Sequence, residues 1–309
     1  MKDETTLTEQ TPPVNEGQGV RPGTPYLVVL VGSRVGEMFR LSKAATILGR
    51  SEDVDVRLAD DGVSRRHAAI LTKGSKVMLE DLGSVNGTYR NGSRIADAVQ
   101  LGDGDKISMG GTTILKFTYQ DAIEEQFNRQ LYESAVRDGL TDVYNRRYFD
   151  DRLRAEMTYA RRHGTRLALM MADLDHFKRV NDEHGHQVGD AILRDVARRM
   201  SSALRGEDVI ARYGGEEFAI LCRDLDEPQA TILATRLRQS VAHAPSGEDH
   251  APVRMTISIG ITIGPASEIS TAEELVSAAD SALYAAKRQG RDRSVVFDAR
   301  IAAMESVGE

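Results

Sequence analysis

The amino-acid sequence predicts two domains of different class joined by a helix: an all-β sandwich, then a palm-like α+β domain of βαββαβ order. Three observations predict this. Between residues 25 and 119, short apolar runs alternate with turn residues and no window holds a long helical period. Residues 120–137 contain neither glycine nor proline and repeat an apolar residue at every fourth position. From 138 to 300, strand-like runs and helical stripes take turns. The length of 309 residues suffices for two cores.

Taken in order, residues 1–24 are rich in Thr, Glu, Pro and Gly and read as a disordered tail. In the sandwich, Tyr26–Val31, Lys76–Asp81 and Thr112–Tyr119 read as strands, and the Asn-Gly pairs at 86–87 and 91–92 as hairpin turns. In the linker, Ile123, Phe127, Leu131 and Ala135 share one helical face. That face either pairs with its copy in a second chain or belongs to a solvated spacer. In the second domain, Arg166–Ala172 is an apolar strand ending in Asp173, and Ile192, Leu193, Val196, Ala197, Met200 and Leu204 form a helical stripe. Val209–Tyr213 and Phe218–Cys222 are strands joined by a tight Gly214-Gly215 turn. Ala230–Val241 reads as helix, Met255–Ile263 as strand and Ala272–Gln289 as helix, with 301–309 a C-terminal tail.

Composition excludes several classes. No apolar run reaches the roughly 18–20 residues of a membrane helix, and the polar N-terminus has no secretory core, so membrane insertion is not expected. The single cysteine, Cys222, rules out intrachain disulfides and fits a reducing, cytoplasmic home. It lies in an apolar strand with no flanking base and reads as a packing residue. A net charge of −7 argues against nucleic-acid binding.

In a sheet of this order the first and third strands are central antiparallel neighbours. Asp173 ends the first; Glu216 and Glu217 open the third. Three carboxylates at one edge repel unless a divalent cation joins them, and oxygen-only ligands favour Mg²⁺ or Mn²⁺. Such a site suits nucleotidyl transfer. No phosphate-binding Walker loop is present, so the phosphates need another cradle. Gly214 and Gly215 clear space for a phosphate chain, Lys178 lies five residues beyond Asp173, and Lys287 and Arg291 are spaced i, i+4 as a cationic prong.

The segments Asp138-Gly-Leu-Thr-Asp-Val-Tyr-Asn-Arg-Arg147, Asp173-Leu-Asp-His-Phe-Lys178, Asn181-Asp182, Gly189-Asp190, Arg212-Tyr-Gly-Gly-Glu-Glu-Phe218 and Ala279-Asp-Ser-Ala-Leu-Tyr-Ala-Ala-Lys-Arg-Gln-Gly-Arg291 resemble the GGDEF family of diguanylate cyclases in order. The resemblance implies that GTP is the substrate and cyclic di-GMP the product. It implies two Mg²⁺ or Mn²⁺ per site on Asp173, Glu216, Glu217 and the Leu174 carbonyl, with Glu216 helping to deprotonate the 3′-hydroxyl. Asn181 and Asp190 would bind guanine, and Lys178, Lys287 and Arg291 the triphosphate. Catalysis would need a homodimer with two GTP face to face. Arg205 and Asp208 match the family's inhibitory product site. Asp142 stands where the family has glycine, a departure expected to affect only a turn.

In the sandwich, Leu48-Gly49-Arg50, Ser64-Arg65-Arg66-His67 and Asn86-Gly87-Thr88 resemble the forkhead-associated (FHA) family. This implies phosphothreonine recognition: Arg50 and Ser64 on the phosphate, Arg65 adding charge, Asn86 on the peptide backbone, and His67 bracing the loop from within. The tail holds Thr5, Thr6, Thr8 and Thr11 in an acidic setting. A Ser/Thr kinase could phosphorylate one of them for capture by the FHA domain, or the domain could read another protein. A retired cyclase that only senses its product is the competing reading; retention of every signature acid and glycine speaks against it.

Overall fold

The computed structural model describes residues 23–32, 35–58, 60–242, 253–266 and 269–298. The tail threonines Thr5, Thr6, Thr8 and Thr11 and residues 301–309 lie outside these.

The first domain is the expected sandwich. Its strands are β1 (Thr24–Val31), β2 (Met38–Arg40), β3 (Ala45–Gly49), β4 (Val56–Arg57), β5 (Ala68–Lys73), β6 (Lys76–Asp81), β7 (Thr88–Arg90), β8 (Ser93–Arg94), β9 (Val99–Gln100), β10 (Lys106–Met109) and β11 (Thr113–Gln120). One sheet has the order β2-β1-β11-β10-β7-β8 and the other β4-β3-β5-β6-β9. Leu27, Ile107, Leu115 and Phe117 of the first face Leu48, Ile70 and Leu79 of the second, all fully buried. Thr24, placed in the tail by sequence, pairs with Gln120 as the first residue of β1.

The two Asn-Gly pairs part company. Asn91 (φ 51°) and Gly92 (φ 83°) form the two-residue turn between β7 and β8, as expected. Asn86-Gly87 is not a hairpin: β6 and β7 lie in different sheets, and residues 82–87 cross between them. The pair marks a glycine with positive φ (78°) in the crossing between β6 and β7, a need that the dipeptide alone does not distinguish from a hairpin.

Helix α1 (Ala122–Val136) starts at a capping box, in which Asp121 accepts from the Glu124 N–H and Glu124 reaches back. No residue in it is buried, and Ile123, Phe127 and Leu131 are 79%, 60% and 52% exposed.

The second domain follows as β12 (Tyr144–Asn145), α2 (Arg146–His163), β13 (Leu167–Leu174), α3 (Phe177–His184), α4 (His186–Ser202), β14 (Val209–Arg212), β15 (Glu217–Arg223), α5 (Glu227–Ala242), β16 (Ile257–Gly264), α6 (Ala272–Arg288) and β17 (Ser294–Val296). The sheet order β12-β14-β15-β13-β16-β17 puts the first and third strands of the expected core side by side and antiparallel. Every residue of β13 is buried. Ala168, Met170 and Ala172 face α4 and α5; Leu167, Leu169 and Met171 face α2 and α6. The outer strands β12 and β17 and helices α2 and α3 extend what the sequence suggested. No helix among the described residues is long and apolar enough to cross a membrane.

The domains touch through side chains. Glu52 Oε1 meets Arg57 at 3.2 Å and Arg223 at 3.3 Å, Asp61 pairs with Arg162, and the Arg57 guanidinium lies 4.7 Å from the Tyr159 ring centroid. Arg223 also binds the buried Glu156 of α2, through Nε at 2.7 Å.

Candidate active site

Sheet register assembles the acidic edge. Asp173 on β13 is the direct cross-strand partner of Glu217 on β15, and the Leu174 N–H donates to the Glu216 carbonyl at 3.3 Å. The loop between β14 and β15 is closed by Tyr213 N–H and Gly214 N–H donating to the Glu217 carbonyl at 2.8 and 3.3 Å. Arg212 clamps it from below. Its Nε and Nη2 donate to the Gly215 carbonyl at 3.1 and 2.7 Å, and its Nη1 meets Asp138 at 3.2 Å.

The two glycines of this loop serve different needs. A Cβ on Gly214 would come within 2.4 Å of Glu217 Oε2, so Gly214 makes room for the carboxylate. A Cβ on Gly215 would meet nothing within 4 Å, so the space beside Gly215 is open.

The edge is electrostatically incomplete. Burial pushes the Asp173 carboxyl above its ordinary range; Lys287 opposes that, and Glu217 and Asp175 add to it. Burial and then Asp173 raise Glu216 likewise. Lys287 Nζ lies 2.8 Å from Asp173 Oδ2. Gly260 brings this lysine in. A Cβ there would sit 2.1 Å from the Ala279 carbonyl and 2.2 Å from the Leu283 nitrogen, so α6 packs directly on β16.

The sequence suggested that Asp173, Glu216 and Glu217 converge on a cation, but among the described residues no three carboxylate, imidazole or thiolate groups form a metal cage. Asp173 and Glu216 offer the carboxylate oxygens a hard cation takes, and Lys287 now stands on Asp173 in the place of such a charge.

Other expected residues fall into three groups. Asn181 on α3 packs against Gly189 on α4, where a Cβ would lie 1.9 Å from its Oδ1; that oxygen is buried without a partner, and Asp190 is adjacent and half-buried. Lys178 is exposed on the first turn of α3 and makes no ion pair among the described residues. Arg291 departs from expectation. Helix α6 stops at Arg288, and the chain turns through Gly290 (φ 112°) and Arg291 (φ 62°), so Lys287 and Arg291 do not share a helical face. The i, i+4 spacing runs past the glycine that ends the helix.

At Arg205-Gly-Glu-Asp208, Asp208 accepts from the Arg205 backbone N–H at 2.9 Å, which closes a turn and leaves the Arg205 side chain exposed. Cys222 is fully buried, and burial pushes its thiol up, as a packing role requires. Asp142 adopts φ 58°, which explains the glycine expected there.

Sequence reasoning gave no role to Asp175, Arg212 or Asp280. Asp175 is 4% exposed and fully engaged, accepting from Ser258 and Thr256 hydroxyls at 2.7 Å and the Asp292 N–H at 3.0 Å. It ties β13 to β16 and the chain after α6, so it is not free to bind a ligand. Asp280 on α6 is raised by burial and by Glu217. The signal for both was present: an acid placed inside an otherwise apolar run.

The FHA loops are braced from inside. His67 is fully buried; its Nδ1 accepts from the Ser64 N–H at 3.0 Å, so Nε2 carries the proton and donates to the Gly87 carbonyl at 3.2 Å. Ser64 Oγ accepts from the Val85 N–H at 3.0 Å. Arg50 Nε donates to the Val63 carbonyl at 3.2 Å, which fixes the guanidinium at the rim. Asn86 Nδ2 donates to the Gly62 carbonyl at 2.8 Å. Arg65 is exposed, and a Cβ on Gly49 would lie 2.2 Å from the Arg65 carbonyl, so the loops close only over glycine.

A family model described as "Diguanylate cyclase, GGDEF domain" matches residues 135–293, and the FHA domain model matches 46–110. The chain belongs to the GGDEF family. Its first domain is an FHA domain fused to the GGDEF domain. Among curated relatives, the bifunctional diguanylate cyclase/cyclic di-GMP phosphodiesterase MucR of Pseudomonas aeruginosa is 39% identical over 176 residues, 57% of this chain and 25% of that protein. The response regulator PleD of Caulobacter vibrioides is 37% identical over 186 residues, 60% of this chain and 40% of that protein. The chain thus spans less than half the length of these relatives. The solved coiled coil and GGDEF domain of DgcB from Caulobacter crescentus, in complex with c-di-GMP, superposes with a TM-score of 0.52 at 31% identity, covering 56% of this chain and 91% of that one. Diguanylate cyclase SiaD of Pseudomonas aeruginosa, with its activator SiaC, gives 0.52 at 39% identity, covering 56% and 66%.

Proposed function

We propose that this protein condenses two GTP into cyclic di-GMP and two pyrophosphates, under control of phosphothreonine recognition by its FHA domain. The observation that carries the cyclase reading is the register that sets Asp173 against Glu217 beside a glycine loop with open space at Gly215. Asp173, Glu216, Glu217 and the Leu174 carbonyl would hold two Mg²⁺ or Mn²⁺, which would supply positive charge for the triphosphate and acidity for the attacking hydroxyl.

The chain's own groups do the rest. Asn181 and Asp190 take the guanine edge; the unpartnered Asn181 Oδ1 is an acceptor waiting for a donor. Lys178, Lys287 and Arg291 draw in the phosphates, Lys287 from its place on Asp173. Each 3′-oxygen bonds to the α-phosphorus of the facing GTP, that phosphorus loses its bond to pyrophosphate, and the hydroxyl proton passes to Glu216. One chain holds one such edge, so two copies must face each other. The exposed Ile123, Phe127 and Leu131 of α1 offer a seam for that pairing. Arg205 and Asp208 bind the product and restrain the enzyme.

In the FHA domain, Arg50, Ser64 and Arg65 hold the phosphate and Asn86 the peptide backbone. The peptide is the chain's own tail, phosphorylated by a Ser/Thr kinase at Thr5, Thr6, Thr8 or Thr11, or a segment of another protein. Tethering gives the tail a high effective concentration. Incubation of product-free protein with GTP and Mg²⁺, followed by nucleotide chromatography, tests the cyclase reading. Cyclic di-GMP is expected, and GTP left intact at concentrations that permit dimers would overturn it.

A further inference from the structure

The hairpin of β7 and β8 stands at the end of the FHA loop that carries Asn86, and β8 forms the edge of its sheet with both residues exposed. Arg94 of β8 lies opposite Tyr89 across the ladder. Gly87, two positions before Tyr89, is therefore its diagonal neighbour on the same face, within reach of a long side chain. The guanidinium is laid on this glycine: a Cβ there would come within 2.5 Å of Arg94 Nε and 3.0 Å of Cζ and Nη2. Gly87 is also held from within, where its carbonyl accepts from His67 Nε2. Its φ of 78° favours glycine, and the missing Cβ is what lets Arg94 lie against the residue that follows Asn86.

Among the described residues Arg94 forms no ion pair, whereas Arg90 on the same hairpin is held by Asp105 at 2.7 Å. Across its face of the sheet the row runs Arg94, Tyr89, Ser108, Ile114, with no carboxylate in it. Asp81 remains charged, but it bonds to the hydroxyl of Thr88, which is fully buried on the opposite face of β7. Asp97, three positions beyond Arg94, is exposed and makes no pair with it. A guanidinium fixed over a loop in this way loses little freedom on meeting a carboxylate, and its planar fork matches one.

We propose that Arg94 selects phosphothreonine peptides with an acidic side chain close to the phosphorylated residue: Arg50 and Ser64 take the phosphate, Asn86 the backbone, and Arg94, from across Gly87, one flanking carboxylate. This rests on the phosphothreonine reading above and adds a sequence preference to it. The threonines of the chain's own tail have that chemistry around them. Asp3 and Glu4 precede Thr5 and Thr6, and Glu9 follows Thr8.

The test uses the full chain and fluorescent phosphothreonine peptides from a pool in which each flanking position in turn is fixed as Glu or as Gln. Anisotropy is expected to find a position at which Glu binds about three- to fivefold more tightly, the size of an exposed ion pair. Arg94→Met keeps an unbranched chain over Gly87; it should erase that difference and leave the affinity of the Gln peptides unchanged. Arg94→Glu should reverse it, so that Lys is preferred to Glu at the same position. No Glu preference in the native chain, a preference that survives Arg94→Met, or an equal loss for Glu and Gln peptides overturns the readout while leaving the phosphothreonine reading intact. Arg50→Ala separates the two. It is expected to lose binding of every peptide, and full affinity there, or a native chain that binds no phosphothreonine peptide, would overturn the phosphothreonine reading itself.

Discussion

Behind the FHA recognition loops, the polar groups already answer one another. His67 takes the Ser64 N–H and gives to the Gly87 carbonyl, Ser64 takes the Val85 N–H, and Asn86 holds the Gly62 carbonyl. At the cyclase edge the reverse holds. Asp173 is pushed up by burial and then by Glu217 and Asp175 against Lys287, Glu216 by burial and then by Asp173, and Asn181 Oδ1 is buried without a partner. The reading surface is finished before its ligand arrives, so little binding energy goes into shaping it. In the function proposed above, the cyclase edge would be finished by cations, nucleotide and a second copy, and activity would be a property of assembly.

That contrast breaks most visibly under substitution of the acids. Asp173→Ala or Glu217→Ala is expected to lower cyclic di-GMP formation by more than about a hundredfold, since each removes charge where the phosphoryl group transfers. Phosphopeptide affinity should stay at the native value, read by fluorescence anisotropy. A parallel loss of peptide binding would mean that the two surfaces are not built independently.

Glycines sharpen the comparison because each surface depends on one. Gly260→Ala drives a methyl group into the Ala279 carbonyl and the Leu283 nitrogen, so α6 and Lys287 must move. A cost of about 1–3 kcal/mol is expected, seen as a lower unfolding temperature with reduced turnover. Gly49→Ala drives a methyl into the Arg65 carbonyl and should weaken peptide binding while GTP turnover without peptide is unchanged. Gly215→Ala meets no protein atom, so stability should hold while turnover falls. If Gly260→Ala and Gly49→Ala merely destabilise, their close approaches are structural and not functional.

The finished surface has a pH limit of its own. Burial holds the His67 imidazole below its ordinary value of 6.5. The unfolded chain therefore binds the proton first, and stability from neutral His67 is full above about pH 6.5 and falls as pH drops through that value. The slope is at most about 1.4 kcal/mol per pH unit. Protonation of the folded imidazole, which comes only as pH falls through its lowered value, sets a second donor against the Ser64 N–H, so peptide affinity should fall at lower pH than stability begins to. Unfolding and anisotropy at pH 7.5 and 5.5 check this, and His67→Gln should flatten both profiles.

Much of the catalytic edge was legible because strand order alone fixes which ends meet: Asp173 and Glu217 are 44 positions apart in number yet cross-strand partners. What escaped was set by packing. Strands of two or three residues, β12 and β17, are too short to show a period. Helix α2 did carry one, in Phe149, Leu153, Met157 and Ala160, but its outer face reads as ordinary surface charge until Arg57 and Asp61 are seen against it. Arg291 was misplaced for a different reason: the helix end was legible at Gln289, but the i, i+4 spacing from Lys287 was read past it. Asp175 received no role from sequence, and its three donors show it to be a strut.

The smallest expected effect concerns Asp142. Its backbone is left-handed at φ 58°, a conformation that costs most side chains about 1–2 kcal/mol and aspartate less. Its carboxylate is 91% exposed, and the Arg137 pair at 3.8 Å adds little. Asp142→Gly relieves the backbone but returns about 0.4–1 kcal/mol through the greater freedom of the unfolded chain. The two terms nearly cancel, so stability should change by less than about 0.5 kcal/mol in chemical denaturation. Turnover should not change. A large loss of activity would instead place this turn, which shares Asp138 with Arg212 and thereby with the Gly215 loop, among the elements that hold the unfinished edge in shape.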